Sequence, residues 1–230
     1  MIALQIPRVK RLSLAGQVYG RLRRLITHHE LEPGQKLGLV EVAEKLEVSL
    51  TPLREALFKL EREGFVVHQP NRGYFVAEIT ADEARELFEA REAIETYAVT
   101  VGIPRASEAD LRALSQATEN YGRAVDKPER DRFLEDKRLH LSLVALAGNQ
   151  LLLRMLEQIF DRIIMKLRIS ELPRERGPAA HKEHQAILAA VTRRDPEKTT
   201  RLLRAHLATS KGYILAFLTR PGGGRPREQA

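Results

Sequence analysis

The sequence predicts a mainly α protein, an N-terminal winged helix-turn-helix followed by a C-terminal all-α helical bundle. Three observations carry this. Between residues 39 and 76 the apolar spacing switches from helical to alternating. Leu53, Ala56, Leu57 and Leu60 recur at i, i+3, i+4 and i+7, then Phe65-Val66-Val67 and Tyr74-Phe75-Val76 flank the turn residues Pro70-Asn71-Arg72-Gly73. Helix, turn, helix, hairpin is the order of a winged helix-turn-helix, whose second helix enters the DNA major groove. From Thr80 onward only helical spacing is found, and the 230 residues suffice for two cores.

Taken in order, residues 1–12 form a basic lead-in with Arg8, Lys10 and Arg11, expected to fray. Leu14, Val18, Leu22, Leu25 and Ile26 make the apolar stripe of a first helix, with Arg21, Arg23 and Arg24 on its other face. Glu32-Pro33-Gly34-Gln35 is a turn, and Val40, Ala43 and Leu46 mark a short second helix. In the third, Thr51 is placed as the cap and Pro52 as the first helical residue, where a missing N–H costs nothing. Gly64 stops it, and Arg54 and Lys59 lie opposite its apolar side. A boundary at Ala77 to Thr80 separates residues 1–77 from 78–220. Thr80-Ala81-Asp82-Glu83 reads as a capping box. Leu87, Ala90, Arg91, Ile94 and Ala98 mark the helix it opens. Further helices run from Ser107 to about Val125, and from Pro128 through His140 to Ala147. Leu151 to about Ile169 is apolar on more than one side and expected to be buried. A charged, proline-rich loop at Pro173 to Pro178 precedes a helix from Ala179 to Arg193. Asp195-Pro196 begins the last, to about Thr219. Residues 221–230, rich in Gly and Pro, are predicted to be a disordered tail.

The formal charge of +7 and pI of 9.8 favour anionic partners such as nucleic acid. Residues 1–77 hold 12 Lys/Arg against 8 Asp/Glu, and the remaining 153 hold 26 against 23, so positive charge is denser in the N-terminal part. With no cysteine, disulfides and thiolate metal sites are excluded. No apolar run is long enough to span a bilayer. The N-terminus lacks the apolar core of a signal peptide. A cytoplasmic protein without a membrane partner is expected.

Inside the predicted bundle, Asp136 and His140 are four apart and share a helix face. His184 falls beside Ile187, Leu188 and Val191, and His206 among Leu202, Leu203, Tyr213 and Phe217. An unpaired buried carboxylate is expensive. A divalent cation would satisfy it and the imidazoles together, and His and Asp suit zinc, nickel, manganese or iron. Taken singly, each histidine is better explained as a hydrogen-bonded core residue; the set as a whole points to a metal. His28, His29, His68 and His181 fall outside the pattern and are assigned to surface or loop.

The segments VAEKLEVSLTPLREALFKLEREGFV and PNRGYFV, preceded by the turn LEPGQKL, resemble the DNA-binding domain of the GntR family of bacterial transcription regulators. Residues 80–219 resemble the FCD effector domain of its FadR subgroup. The resemblance is carried by Asp136-Lys137-Arg138-Leu139-His140, Ala147-Gly148-Asn149, Glu183-His184-Gln185-Ala186-Ile187 and Arg204-Ala205-His206-Leu207. It implies a homodimer on a palindromic double-stranded DNA operator, with Ser49, Thr51, Arg54, Arg72 and Gly73 at the DNA. It implies a metal held by Asp136, His140, His184 and His206, zinc first among the candidates, and a small carboxylate effector completing its shell. Arg91, in AREAIE, corresponds to an arginine that pairs with that carboxylate; an inter-helix salt bridge is the alternative. Asn149 is the second effector candidate, or else ends the turn between two helices. Two departures matter. Leu50 stands where members carry a DNA-contacting arginine, which predicts an operator unlike the family's usual one. Glu47 stands where a turn glycine is usual, at a cost of roughly 1 kcal/mol if its φ is positive.

Two classes of function are open at this point. The first is a regulator whose DNA affinity is changed by an organic acid, or by the metal itself, through a coupling of about 1–3 kcal/mol. In many members of the family the ligand releases the DNA, as in a repressor. The second is an all-helical metalloenzyme in which the metal activates water, with Glu183 the nearest base in sequence. Neighbouring helix residues face different ways, so Glu183 is expected to point away from the metal. No nucleophile and base set accompanies it, and the winged helix would be unexplained. The regulator is therefore the expected reading, with no catalytic residue.

Overall fold

The computed structural model describes residues 13–220, so the basic lead-in and the Gly/Pro-rich tail lie outside the described residues. The chain divides into two compact units, Met1–Ala77 and Glu78–Ala230.

In the first unit, α1 (Leu14–Thr27) opens at Ser13, whose hydroxyl accepts the Gly16 N–H. There follow β1 (Lys36–Leu37), α2 (Leu39–Lys45), α3 (Leu50–Arg62), β2 (Val66–Gln69) and β3 (Gly73–Val76). Val18, Leu22 and Ile26 of α1 and Leu53, Leu57 and Leu60 of α3 are buried where the two helices pack. Each fully buried leucine contributes on the order of 1.5–3 kcal/mol, enough to outweigh helix propensity here. The start of α3 differs from expectation. Ser49 is the N-cap and Leu50 the first helical residue, so Thr51 and Pro52 fall inside the first turn. Pro is tolerated there because N–H groups of the first turn have no intrahelical partner. The end is as the glycine suggests: Gly64 has φ 75°, its N–H donates to Glu61, and the Phe65 N–H donates to Leu60. That is a Schellman ending.

The sheet is antiparallel in the order β1-β3-β2, with Phe75 opposite both Lys36 and Val67. The two-residue β1 is too short to show a period and was not anticipated. At the hairpin tip Asn71 takes φ 62° after Pro70, and the Arg72 N–H closes the turn on the Gln69 carbonyl at 3.0 Å.

The second unit is helical: α4 (Ala81–Gly102), α5 (Glu108–Ala124), α6 (Glu129–Ala145), α7 (Gln150–Lys166), α8 (Arg176–Thr192) and α9 (Pro196–Thr219). Thr80 caps α4 by accepting the Glu83 N–H at 3.1 Å. The expected capping box is only half formed, because the Glu83 carboxylate pairs with Arg162 at 2.5 Å and Lys166 at 2.9 Å on α7. Two cations outcompete one backbone N–H. The full capping box is made instead by Ser107 and Asp110 on α5. Helix α8 begins inside the stretch expected to be loop, with Pro178 in its first turn, where proline is allowed.

Helix α4 packs along α9, α5 along α6 and α8, and α8 along α9. Val99, Leu139, Leu143 and Leu203 share one apolar cluster; Ile94, Ala98, Val144, Leu156 and Phe160 form another. Contrary to expectation, α7 is not buried all round. Leu156, Phe160 and Ile163 are buried, but Leu151 and Met155, one turn apart, are 58% and 43% exposed. At Gly102 a Cβ would stand 2.5 Å from the Leu146 carbonyl carbon, so α4 meets the end of α6 backbone to backbone.

Candidate metal centre and nucleic-acid interface

Asp136 and His140 project from one face of α6, His184 from α8 and His206 from α9. One ligand atom from each lies within 4.8 Å of all the others. Nε2 of His206 stands 3.2 Å from Nε2 of His140 and 3.3 Å from Nε2 of His184. Asp136 Oδ1 is 3.4 Å from Nε2 of His184 and 3.8 Å from Nε2 of His140. A tetrahedral ion with bonds of about 2.0–2.1 Å to nitrogen has ligand-to-ligand edges of roughly 3.3 Å. The donor spacing fits such an ion.

The outer contacts strengthen the fit. Glu95, on α4, lies 2.5 Å from Nδ1 of His140, and Glu183, on α8, lies 2.7 Å from Nδ1 of His206. Burial raises the Glu95 carboxyl, but the charges of His140 and Arg91 and their hydrogen bonds overcome it and hold the group at about 2. Burial likewise opposes the ionisation of Glu183, yet hydrogen bonds from His206 and Arg176 bring it to about 2. Ionised carboxylates only accept hydrogen bonds, so Nδ1 of each histidine is the donor, and in the neutral ring Nε2 carries the lone pair. With both rings neutral, two lone pairs face each other at 3.2 Å, an arrangement that a cation satisfies. Burial, reinforced by the other two histidines, drives His184 well below its ordinary pKa; burial also lowers His206 against the pull of Glu183. Both are therefore neutral at neutral pH, the form that metal coordination requires.

In the first unit, the exposed face of α3 presents Ser49, Leu50, Thr51 and Arg54, and Arg72 is exposed at the hairpin tip beside Gly73, which has φ 94°. Ser49 makes no side-chain cap hydrogen bond. Lys59, grouped with Arg54 on sequence grounds, is engaged elsewhere: its ammonium lies 3.8 Å from the ring centre of Tyr19 on α1.

Residues 14–76 match the model of the bacterial regulatory proteins of the gntR family, and residues 86–209 match the FCD domain. The chain belongs to the GntR family, with an FCD domain as in its FadR subgroup. The HTH-type transcriptional repressor GlaR of Escherichia coli K12 is 32% identical over 202 residues, 83% of this chain and 91% of that protein. Among solved structures, a GntR transcriptional regulator from Rhodococcus sp. RHA1 superimposes with TM-score 0.69 at 23% identity, covering 88% of this chain and 97% of that one. McbR/YncC of E. coli gives TM-score 0.66 at 22% identity, with 90% and 99% covered. These two share the fold. The named relatives are transcription regulators and not enzymes. The winged helix of a GntR protein is a DNA-binding module, and no helix among the described residues is long and apolar enough to cross a membrane.

Beside the centre, the FCD domain of this GntR chain has a cavity lined by Arg91, Arg132, Arg176 and Tyr121, with Asp136 and His206 at its wall and Phe88, Phe133 and Ile214 as apolar surface. Arg91 is buried, and its Nε donates to Glu95 on the same helix at 2.8 Å. The salt bridge is thus within α4 rather than between helices, and Nη2 has no hydrogen-bond partner among the described residues. Asn149 is not in the cavity. Its carboxamide oxygen accepts the N–H groups of Leu151 and Leu152 and caps α7, which leaves the structural alternative. Glu183 does not simply point away; α8 and α9 are close enough for it to reach His206. His181 is no loop residue either, since it stacks on Tyr121 from α8.

Glu95, Arg132 and Arg176 were missed on sequence grounds. One signal was available for Glu95. It is four residues after Arg91, between Ile94 and Ala98 on the inward stripe, where an acid needs a buried partner.

Proposed function

We propose that this chain is a cytoplasmic, homodimeric regulator that binds a palindromic DNA operator and is released from it by a small organic acid held at a metal centre. Asp136, His140, His184 and His206 hold a divalent transition metal, with zinc first and nickel, manganese or iron as alternatives. The observation that carries this reading is the pair of Nε2 atoms 3.2 Å apart, each on a ring whose Nδ1 meets a carboxylate. When bound, the metal supplies a Lewis-acidic charge to which a carboxylate oxygen can attach. Arg91 lines the same cavity and keeps an Nη2 without a hydrogen-bond partner among the described residues, a donor for that carboxylate. Phe88, Phe133 and Ile214 then cover the carbon body of the acid. A regulator answering to the metal alone would leave this cavity and the Arg91 donor without a role.

The test begins with elemental analysis of tag-free, dialysed protein, where about one equivalent of transition metal per subunit is expected from the four-ligand set. Metal-loaded protein on operator DNA is then titrated with small carboxylic acids. Release is expected at acid concentrations that also raise the melting temperature, and Arg91→Gln should blunt both effects. Metal content unchanged by His184→Ala would remove the centre from the account, and release unaffected by Arg91→Gln would remove the effector site.

A further inference from the structure

Leu50 is the first residue of α3 and is 37% exposed. It takes no part in the core face of the helix, which is Leu53, Ala56, Leu57 and Leu60. Arg54 follows one turn later on the same outward face, and Ser49 and Thr51, on either side of Leu50, are exposed as well. A bulky aliphatic chain thus sits among polar groups at the N-terminal end of the helix. In a helix-turn-helix this is the end that meets base edges.

The major groove offers such a side chain one favourable substituent, the C5 methyl of thymine; the other distinguishing groups along the base edges are hydrogen-bond donors and acceptors. A leucine set over those would strip them of water and return no hydrogen bond. We propose that Leu50 is a specificity-determining residue that reads a thymine methyl group, in the base step beside the one met by Arg54. The inference rests on DNA binding by the winged helix and on nothing in the helical unit.

The test uses the full chain and an operator selected from random duplexes. Each thymine is replaced in turn by deoxyuridine, which removes the methyl and keeps the pairing, and Kd is measured at one fixed salt concentration. At one thymine the replacement should weaken the parent about 4-fold, equivalent to about 0.8 kcal/mol for one buried carbon. Leu50→Ala should bind the thymine and deoxyuridine duplexes alike at that position. Because Leu50 is outside the core, this variant should melt as the parent does. An operator insensitive to deoxyuridine everywhere, or a Leu50→Ala variant that keeps the full penalty, overturns the inference and leaves the regulator reading standing. Selection that yields no preferred sequence overturns both.

Discussion

Oε2 of Glu95 lies 2.5 Å from Nδ1 of His140, and neither side chain reaches solvent. The same carboxylate accepts from Nε of Arg91 through its other oxygen. One acid thereby holds His140 of the proposed metal centre and the guanidinium of Arg91 together. Its desolvation costs several kcal/mol, which the charge of Arg91 and the hydrogen bonds from both partners offset. Glu95→Gln keeps the shape but removes the charge. An amide can also donate to Nδ1, which would turn the Nε2 hydrogen inward and block coordination. Metal affinity should fall about 10–100-fold, as for lost outer-shell partners elsewhere. Competition against a chelating dye measures this, and operator binding by the metal-free variant should stay close to that of the metal-free parent.

The metal-free protein should be acid-labile, and the direction follows from His184 and His206. Burial, the leading cause for both, lowers their pKa values in the fold. Above an unfolded value of about 6.5 both states are neutral and the pair adds no pH dependence. Below it, the unfolded chain takes up protons that the folded chain refuses, so stability falls as pH falls. The loss proceeds at about 1.4 kcal/mol per pH unit per histidine until each folded value is reached. Denaturant titrations with chelator at about pH 7.5 and about pH 5.5 should show it, and His184→Gln should give a shallower slope.

How much of this was legible in the sequence depends on the range of the interaction. The helices of both units follow from local spacing and caps, because Ser107 and Asp195 in the second unit and Gly64 in the first act within one turn of their own position. Asp136 and His140 are legible together because four residues make one helical turn, and His184 and His206 because each lies on an apolar face. Glu95 with His140, and Glu183 with His206, are not legible as pairs, since they depend on which helices become neighbours. The start of α3 was misplaced for a different reason: Ser49 and Thr51 are equally good caps by composition, and Pro52 is acceptable anywhere in the first turn.

Glu47 offers a test of backbone strain without any contact to confuse it. Its φ is 54°, its side chain is exposed, and it directly follows the C-cap Leu46 of α2. A left-handed conformation costs a residue with a Cβ roughly 1–2 kcal/mol, and Asn bears it best among non-glycine residues. Glu47→Asn should stabilise the first unit by up to about 1 kcal/mol, or several degrees in melting temperature for a unit of this size. Glu47→Gly should gain less, because glycine also frees the unfolded chain. Thermal denaturation of the three proteins ranks them.

Arg54, Arg72 and Lys59 are all basic and all in the first unit, yet their surroundings predict three different responses. Arg54 stands exposed on the outward face of α3, a placement suited to a base edge if that face enters the groove. Arg54→Ala should cost about 1–3 kcal/mol on the preferred operator and relax the choice of base at one position. Arg72 is exposed at the hairpin tip, with its guanidinium 5.5 Å from the Phe75 ring centre, a placement suited to phosphate rather than to bases. Arg72→Ala should weaken all duplexes alike and reduce the slope of log affinity against log salt by about one. Lys59 is held against Tyr19 inside its own unit. Lys59→Ala should therefore leave DNA affinity nearly unchanged while removing a cation–π contact worth roughly 0.5–1 kcal/mol of stability. Affinities measured across a salt series on preferred and scrambled duplexes separate the three. A change in sequence preference from Lys59→Ala, with none from Arg54→Ala, would mean that a different face of α3 meets the DNA.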